Sequence, residues 1–430
     1  MAPTKLSLTL SPPQAYLETQ QLSLAVESFD LCARLRHEMG DDDGMAAALN
    51  RKGCALYACG EMQAAVEVLE EYLSHVSQTA DRRVFISKNF DESRREEVDA
   101  CCILGRACQA MGDMRSASES LKRALALSHE SGDRTGEAKC LIAFGEFYAN
   151  LWDTSVAKDH VERALSICIQ LQDKAGEVKC VTLLGTLHYV RGDTASCMKC
   201  LEEALALCKQ SVLSSSEAEC LINIGDVHRK QGSVAQAQAH YERAARLCKE
   251  QMDPCREARA LVGMAKGDLA SGNPYRAIDK VMEAMELYKA VGDRKGESLC
   301  LRVLAECYLA VGKLPTARKV AEQSRQLSTE HGAVIECARI DMLFAKLHIA
   351  SSNYEAALEK LEAAREVFKE MVVLGNTHYV LNSHLLGICL SLCGDLRMLQ
   401  VCLNHTLNHT LTLASSFETL LTLDHPYPRS

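Results

Sequence analysis

Cys197-x-x-Cys200 is the one spacing in this 430-residue chain that invites a metal. Two thiolates so placed make half of a closed zinc site, which needs four ligands, usually two such pairs or a pair plus histidine. No second Cys-x-x-Cys exists, so no metal is expected. Nucleophilic and phosphate-cradling chemistry fares no better. The sequence holds no Gly-x-Gly-x-x-Gly, Gly-x-x-x-x-Gly-Lys-Ser/Thr, His-Glu-x-x-His or Gly-x-Ser-x-Gly motif. His188 and His228, the candidate bases, occur at one repeated position and read as packing residues. The expectation is a chain with no catalytic residue, no cofactor and no enzyme activity. Asn404-His-Thr and Asn408-His-Thr match a glycosylation sequon but read as incidental without secretion.

The elements that carry these residues repeat. Gly105, Gly145, Gly185, Gly225, Ala265, Ala305 and Ala345 stand 40 residues apart. Twelve residues after each comes a second small residue: Ala117, Ala157, Cys197, Ala237, Ala277, Ala317 and Ala357. Seven further on comes a third: Ala124, Ala164, Ala204, Ala244, Ala284, Ser324 and Ala364. Antiparallel helices approach closely only where side chains are small. The first position therefore belongs to a helix A and the other two to a helix B. Gly112, Gly192, Gly232, Gly272 and Gly312 lie between them, where a C-terminal residue of left-handed conformation is needed. Asp113, Asp193 and Ser233 follow as N-caps, and Gly132-Asp133, Gln172-Asp173 and Gly292-Asp293 mark joints between units. Each unit leaves an apolar face that only its neighbour can cover, so the array is one continuous solenoid.

The cysteines fall into the same register. Cys140, Cys180, Cys220 and Cys300 share one position, and Cys168, Cys208 and Cys248 another. Buried free cysteine behaves as a small hydrophobe. The total of 21 is odd, and the reading is reduced thiols in a cytoplasmic protein.

At the ends the register loosens. Gly53, Gly60 and Ala65 make a unit 52 residues before Gly105, with the surplus placed near 79–91 as a loop or helix extension. Ala25 and Cys32 fit a helix B without a good helix A. Gly387 and Gly394 mark a shifted last unit. The expected organisation is a disordered tail over 1–14, a solenoid over 15–414 of about nine units plus an N-terminal half unit, and a disordered tail over 415–430.

Bulk properties narrow the function. Aromatics are 5% and prolines number 8, which suits helices. The net charge of −9 argues against nucleic acid as partner. No apolar run reaches the length of about 18 residues that a membrane helix requires, so no direct membrane insertion is expected. Ala2 stands where N-myristoylation needs glycine, and no signal peptide is evident.

The helix–turn–helix pattern resembles the tetratricopeptide superfamily over nearly the whole chain. The 40-residue period and segments such as Gly132-Asp-Arg-Thr-Gly-Glu-Ala-Lys139 and Gly292-Asp-Arg-Lys-Gly-Glu297 are similar to LGN-type polarity adaptors. Residues 217–312 look closer to the rapsyn-like receptor scaffolds, through Gly225-Asp-Val-His-Arg-Lys-Gln-Gly232 and Ala260-Leu-Val-Gly-Met-Ala-Lys266. The chain departs from the rapsyn pattern in its missing myristoylation glycine and zinc-binding RING cysteines. It also lacks the C-terminal motifs of the LGN type.

The resemblance implies an all-α fold, a right-handed α-solenoid superhelix, and a non-catalytic scaffold that grips other proteins. It offers a receptor-clustering adaptor of the rapsyn type, with an LGN-like polarity adaptor or an assembly factor or cochaperone as alternatives. A cytoplasmic location, peripheral to membrane or cytoskeleton through partners, and self-association follow from the same likeness.

In such arrays helix A lines the concave wall, at positions −6, −3, −2, +1 and +4 from its small residue. Those positions give Asn50, Tyr57, Arg106, Lys139, Glu146, Lys179, Thr186, Tyr189, Glu219, Asn223, Asp226, Arg229, Arg259, Lys266, Arg302, Glu306, Arg339 and Lys346. From Arg229 onward they carry six cations against Glu306. One reading is a basic wall that binds an acidic segment of a partner through charge-assisted bonds. The other is that these charges are solvated or paired with helix B neighbours.

Overall fold

The computed structural model describes residues 22–374, apart from 87–89, 152, 212 and 331. These fold into 17 helices, with no strand among the described residues. A single helix, α1 (Leu22–Glu38), leads into eight hairpins. They are α2 and α3 (Asp42–Cys59, Met62–Ile86), α4 and α5 (Phe90–Ala110, Met114–Ser131), and α6 and α7 (Arg134–Asn150, Thr154–Leu171). Next come α8 and α9 (Lys174–Val190, Thr194–Gln210), α10 and α11 (Ser214–Lys230, Val234–Glu250), and α12 and α13 (Pro254–Ala270, Pro274–Val291). Last are α14 and α15 (Arg294–Ala310, Leu314–Glu330) and α16 and α17 (Val334–Ala350, Tyr354–Leu374). The unit expected around Gly387 and Gly394, the expected tails and residues 15–21 lie outside the described residues.

The small residues do what their spacing predicts. Ala117, Ala157, Ala237, Ala277, Ala317 and Ala357 are fully buried, and so are Ala124, Ala164, Ala204, Ala244, Ala284 and Ala364. A Cβ on Gly105 would stand 2.8 Å from Cγ of Leu121, so helix A presses its backbone onto helix B. Leu121, Val161, Leu201, Tyr241, Val281 and Leu361 fill the middle of successive hairpins. Removing one of the leucines to alanine costs about 2–5 kcal/mol by the usual cavity rule.

Local signals close each helix. Gly112, Gly192, Gly232, Gly272 and Gly312 take left-handed φ between 75° and 87°. Gln172 takes the same conformation without being glycine. Asp113, Asp193, Asp173 and Asp293 accept from the backbone N–H three residues on. Ser233 and Asp133 occupy the N-cap position but make no such side-chain bond. The surplus near 79–91 enters as longer helices, α3 of 25 residues and α4 of 21 against 17 for most others.

Consecutive helices pack side by side along the whole array, and helices A also touch the helices A of adjacent units. The spiral then closes on itself. Leu22 of α1, Cys59 of α2 and Val291 of α13 form one buried cluster with Val26 and Cys255. Gly60 lies against Lys295, Gly292 against Ser23, and Gly332 against Met111. Ile335 of α16 packs on the first core cluster. Turns within the first units thus meet joints between the last ones.

The described cysteines are free thiols, most of them buried. Cys102 and Cys140 bring their sulfurs to 3.6 Å. Burial pushes the Cys197 thiol up to about 11 and also raises that of Cys200, the reverse of a reactive pair. Among the described residues no group of three His, Cys, Asp or Glu is placed to hold a metal. None of the described helices is long and apolar enough to cross a membrane. His228 stacks on His240 with ring centres 5.4 Å apart, a packing role.

Candidate functional site

Polar side chains of consecutive helices A come within bonding distance of one another, while the small residues of each helix A pack against helix B. Charges pair from one helix A to the next. Arg106 of α4 donates through Nε to Glu146 of α6 at 2.9 Å, and Lys179 of α8 approaches the same carboxylate at 3.3 Å. Lys139 holds both oxygens of Asp99, at 2.8 and 3.0 Å, in an exposed pair. Arg259 of α12 donates to Asn223 of α10 at 3.0 Å and lies 3.6 Å from Glu219. Arg302 of α14 meets Glu336 of α16 at 2.5 Å and Glu306 at 3.1 Å, and Arg339 shares Glu336 at 3.2 Å.

The carboxylates in these ion pairs come from helices A, and Arg229 adds a helix B partner in Tyr241. Glu336 carries much of this balance. It lies outside the positions read as inward-facing, in the first turn of α16, so the sequence tally missed it. Burial works to raise its pKa, but Arg302 and Arg339 outweigh that and hold its carboxyl below the usual range.

On α11, Tyr241 stands where other hairpins have leucine, valine or alanine. Its ring fills the slot left by Gly225 and Gly263, where added Cβ atoms would come to 2.7 and 2.5 Å. Its hydroxyl crosses the helix layer and donates to Asp226 at 2.8 Å. Arg229 donates to Asp226 at 3.1 Å and to the Tyr241 oxygen at 3.4 Å. The signal was available: Tyr241 and Gly263 each break their own register position.

The remaining candidate positions differ among themselves. Asn50 is buried and accepts from the Cys54 thiol at 3.7 Å, so it serves the core rather than the wall. The Tyr189 ring carries the ammonium of Lys230 4.4 Å from its centre. Tyr57 is half-buried, and burial raises its phenol pKa. Lys346 is exposed, and Lys266 is half-buried, with burial first and then Arg302 lowering its ammonium to about 8.

Where the two ends of the spiral meet, they enclose a cavity of about 610 Å³. Tyr57, Arg106 and Glu146 line it from the first turn, and Lys295, Glu336 and Arg339 from the last. The structure thus brings together candidates from opposite ends of the chain. Lys139, Lys179 and Asn223 do not line this cavity.

Tetratricopeptide-repeat profiles match residues 100–135 and 179–250. No curated protein sequence matches the chain. Among solved structures, a Rap protein complexed with competence and sporulation factor aligns at 12% identity and a TM-score of 0.51. The match covers 82% of this chain and 97% of that one. A tetratricopeptide repeat protein from Parabacteroides merdae aligns at 17% identity and a TM-score of 0.40, covering 66% of this chain and all of that one. The chain therefore carries tetratricopeptide repeats, directly matched over 100–135 and 179–250, on an all-α solenoid fold.

Proposed function

We propose that the chain is a non-catalytic scaffold that holds a segment of another protein against its inner wall. The observation that carries this reading is the wall itself. Polar side chains from consecutive helices A are fixed by pairing with one another, so they present a preformed surface, and binding to a preformed surface forfeits less ordering entropy. Lys266 and Lys346 stay without an ion pair among the described residues. Their positive charge favours an acidic segment in the second half of the groove. The same fold is seen with a bound factor in the Rap complex.

A receptor-clustering adaptor of the rapsyn type is the finer reading supported by the likeness of residues 217–312. An LGN-like polarity adaptor and an assembly factor or cochaperone are its alternatives, and self-association is a further use of the same wall. In each case the site of action is cytoplasmic, peripheral to membrane or cytoskeleton through the partner.

A photo-crosslinking residue tests the scaffold. Placed at Tyr189 on the inner wall, it should capture a partner peptide that mass spectrometry identifies. Placed at Tyr275, exposed on α13, it should not. Equal capture at both positions contradicts the proposal. Receptor or cytoskeletal sequences in the captured peptide support clustering, polarity proteins the LGN-like role, and chaperones the assembly role.

A further inference from the structure

Two deeply buried polar side chains line the cavity between the ends of the spiral with bonding capacity unused. Gln109 of α4 is 7% exposed and Tyr288 of α13 is 5% exposed, and both border the space of about 610 Å³. The Gln109 amide nitrogen donates to the carbonyl of Phe147 at 3.3 Å, which fixes the amide and leaves its oxygen without a partner among the described residues. The Tyr288 ring lies against Gly296, where no Cβ would fit, and its hydroxyl likewise has no partner among the described residues. Neither atom is among the unpaired polar atoms that the fold seals from solvent. A polar group held out of bulk water without a partner costs free energy. That cost is recovered when a ligand supplies the missing donor or acceptor.

The rest of the lining narrows the ligand. Its charges are answered from within the protein: Arg106 by Glu146 at 2.9 Å, Arg339 by Glu336 at 3.2 Å and Arg294 by Glu297 at 3.8 Å. Asp293 and Lys295 offset each other. A charged ligand would have to break one of these balances, so the site suits an uncharged one. Between the charges stand Met62, Met114, Leu299 and Ile335. Methionine sulfur packs favourably on aromatic rings. The volume falls within the range of about 300–1,000 Å³ that small-molecule pockets occupy.

We propose that this cavity binds a neutral heteroaromatic small molecule that carries an N–H donor. Gln109 accepts from that donor through its amide oxygen, and the Tyr288 hydroxyl bonds a ring nitrogen or carbonyl oxygen of the same molecule. Gln109 belongs to the first turn of the spiral and Tyr288 to the last, so one bound molecule bridges the two ends. This site is separate from the scaffold reading above and stands or falls without it. A nucleoside and an indole amide share the required chemistry.

The full chain is grown with 3-fluorotyrosine. The fluorine signals of Tyr57 and Tyr288, both on the cavity lining, are assigned by their loss in Tyr57→Phe and Tyr288→Phe. The neutral probes are adenosine and N-acetyltryptophanamide. Their charged counterparts are adenosine 5′-monophosphate and N-acetyltryptophan, and methyl glucoside is the non-aromatic control. At least one neutral probe should shift both signals saturably, with its charged counterpart roughly tenfold weaker or worse. Gln109→Leu should weaken that probe by about three- to tenfold, the worth of one hydrogen bond. Ala110→Trp and Ala333→Trp each fill the cavity and should abolish the response; where circular dichroism shows that one fails to fold, the other decides. Response to adenosine alone supports a nucleoside-type ligand, to N-acetyltryptophanamide alone an indole-type one, and to both the shared chemistry. The proposal is overturned when neither neutral probe shifts both signals. Equal or tighter binding of a charged counterpart or of methyl glucoside overturns it too, as does a response that survives in a folded, filled variant.

Discussion

Gly60 and Lys295, from opposite ends of the spiral, lie in direct contact: a Cβ on Gly60 would stand 2.9 Å from Cβ of Lys295 and 3.0 Å from its backbone nitrogen. Gly112 has nearly the same left-handed φ, 87° against 86°, with open space where its Cβ would be. The pair separates the backbone conformation from the closure of the spiral.

Gly112→Ala should destabilise the chain by the left-handed strain alone, about 1–2 kcal/mol. Gly60→Ala adds an overlap with main chain that cannot swing away, which costs about 1–3 kcal/mol more or parts the two turns. Urea unfolding and small-angle scattering read both outcomes. Equal losses in the two variants, with no change in radius of gyration, contradict closure at this contact.

The slot around Tyr241 predicts a coupling. Gly225→Ala should cost about 1–3 kcal/mol through overlap with the ring. In a Tyr241→Leu background, which restores the residue of the Leu121 and Leu201 hairpins, the same change should cost much less. A double-mutant cycle by chemical denaturation measures this coupling, and additive losses would remove the steric account.

Glu336 should make the last units acid-sensitive. Its folded pKa is held below the ordinary value, so its stabilisation is fully present above the unfolded pKa of about 4.3. That stabilisation is lost as pH falls through the lower folded value. Glu336→Gln removes a carboxylate shared by two guanidinium groups and should cost about 1.5–3 kcal/mol at pH 7. The difference between wild type and variant should shrink toward pH 3. A difference that stays constant with pH contradicts an ionised Glu336 at this junction.

The repeat was legible because it is local. Close packing demands small residues at fixed offsets, and Gly105, Ala117 and Ala124 announce it within 20 residues. Helix ends were legible through Gly112 and Asp113 for the same reason. The closure of the spiral was not, since it accumulates from small rotations between units and leaves no mark at Gly60 or Lys295. The charge pairing was half legible. Helical position picked out Arg302 and Arg339, but their balance depends on Glu336, which pairs with both from a turn that the positional rule does not cover.

Hydrogen exchange tests the account's central claim most directly. The partner segment captured at Tyr189 is synthesised and added to the full chain, and amide protection is mapped by mass spectrometry. The account predicts new protection on the helices A that form the wall, foremost α10, α12 and α14, with little change on α11, α13 and α15. Protection confined to those outer helices would contradict it.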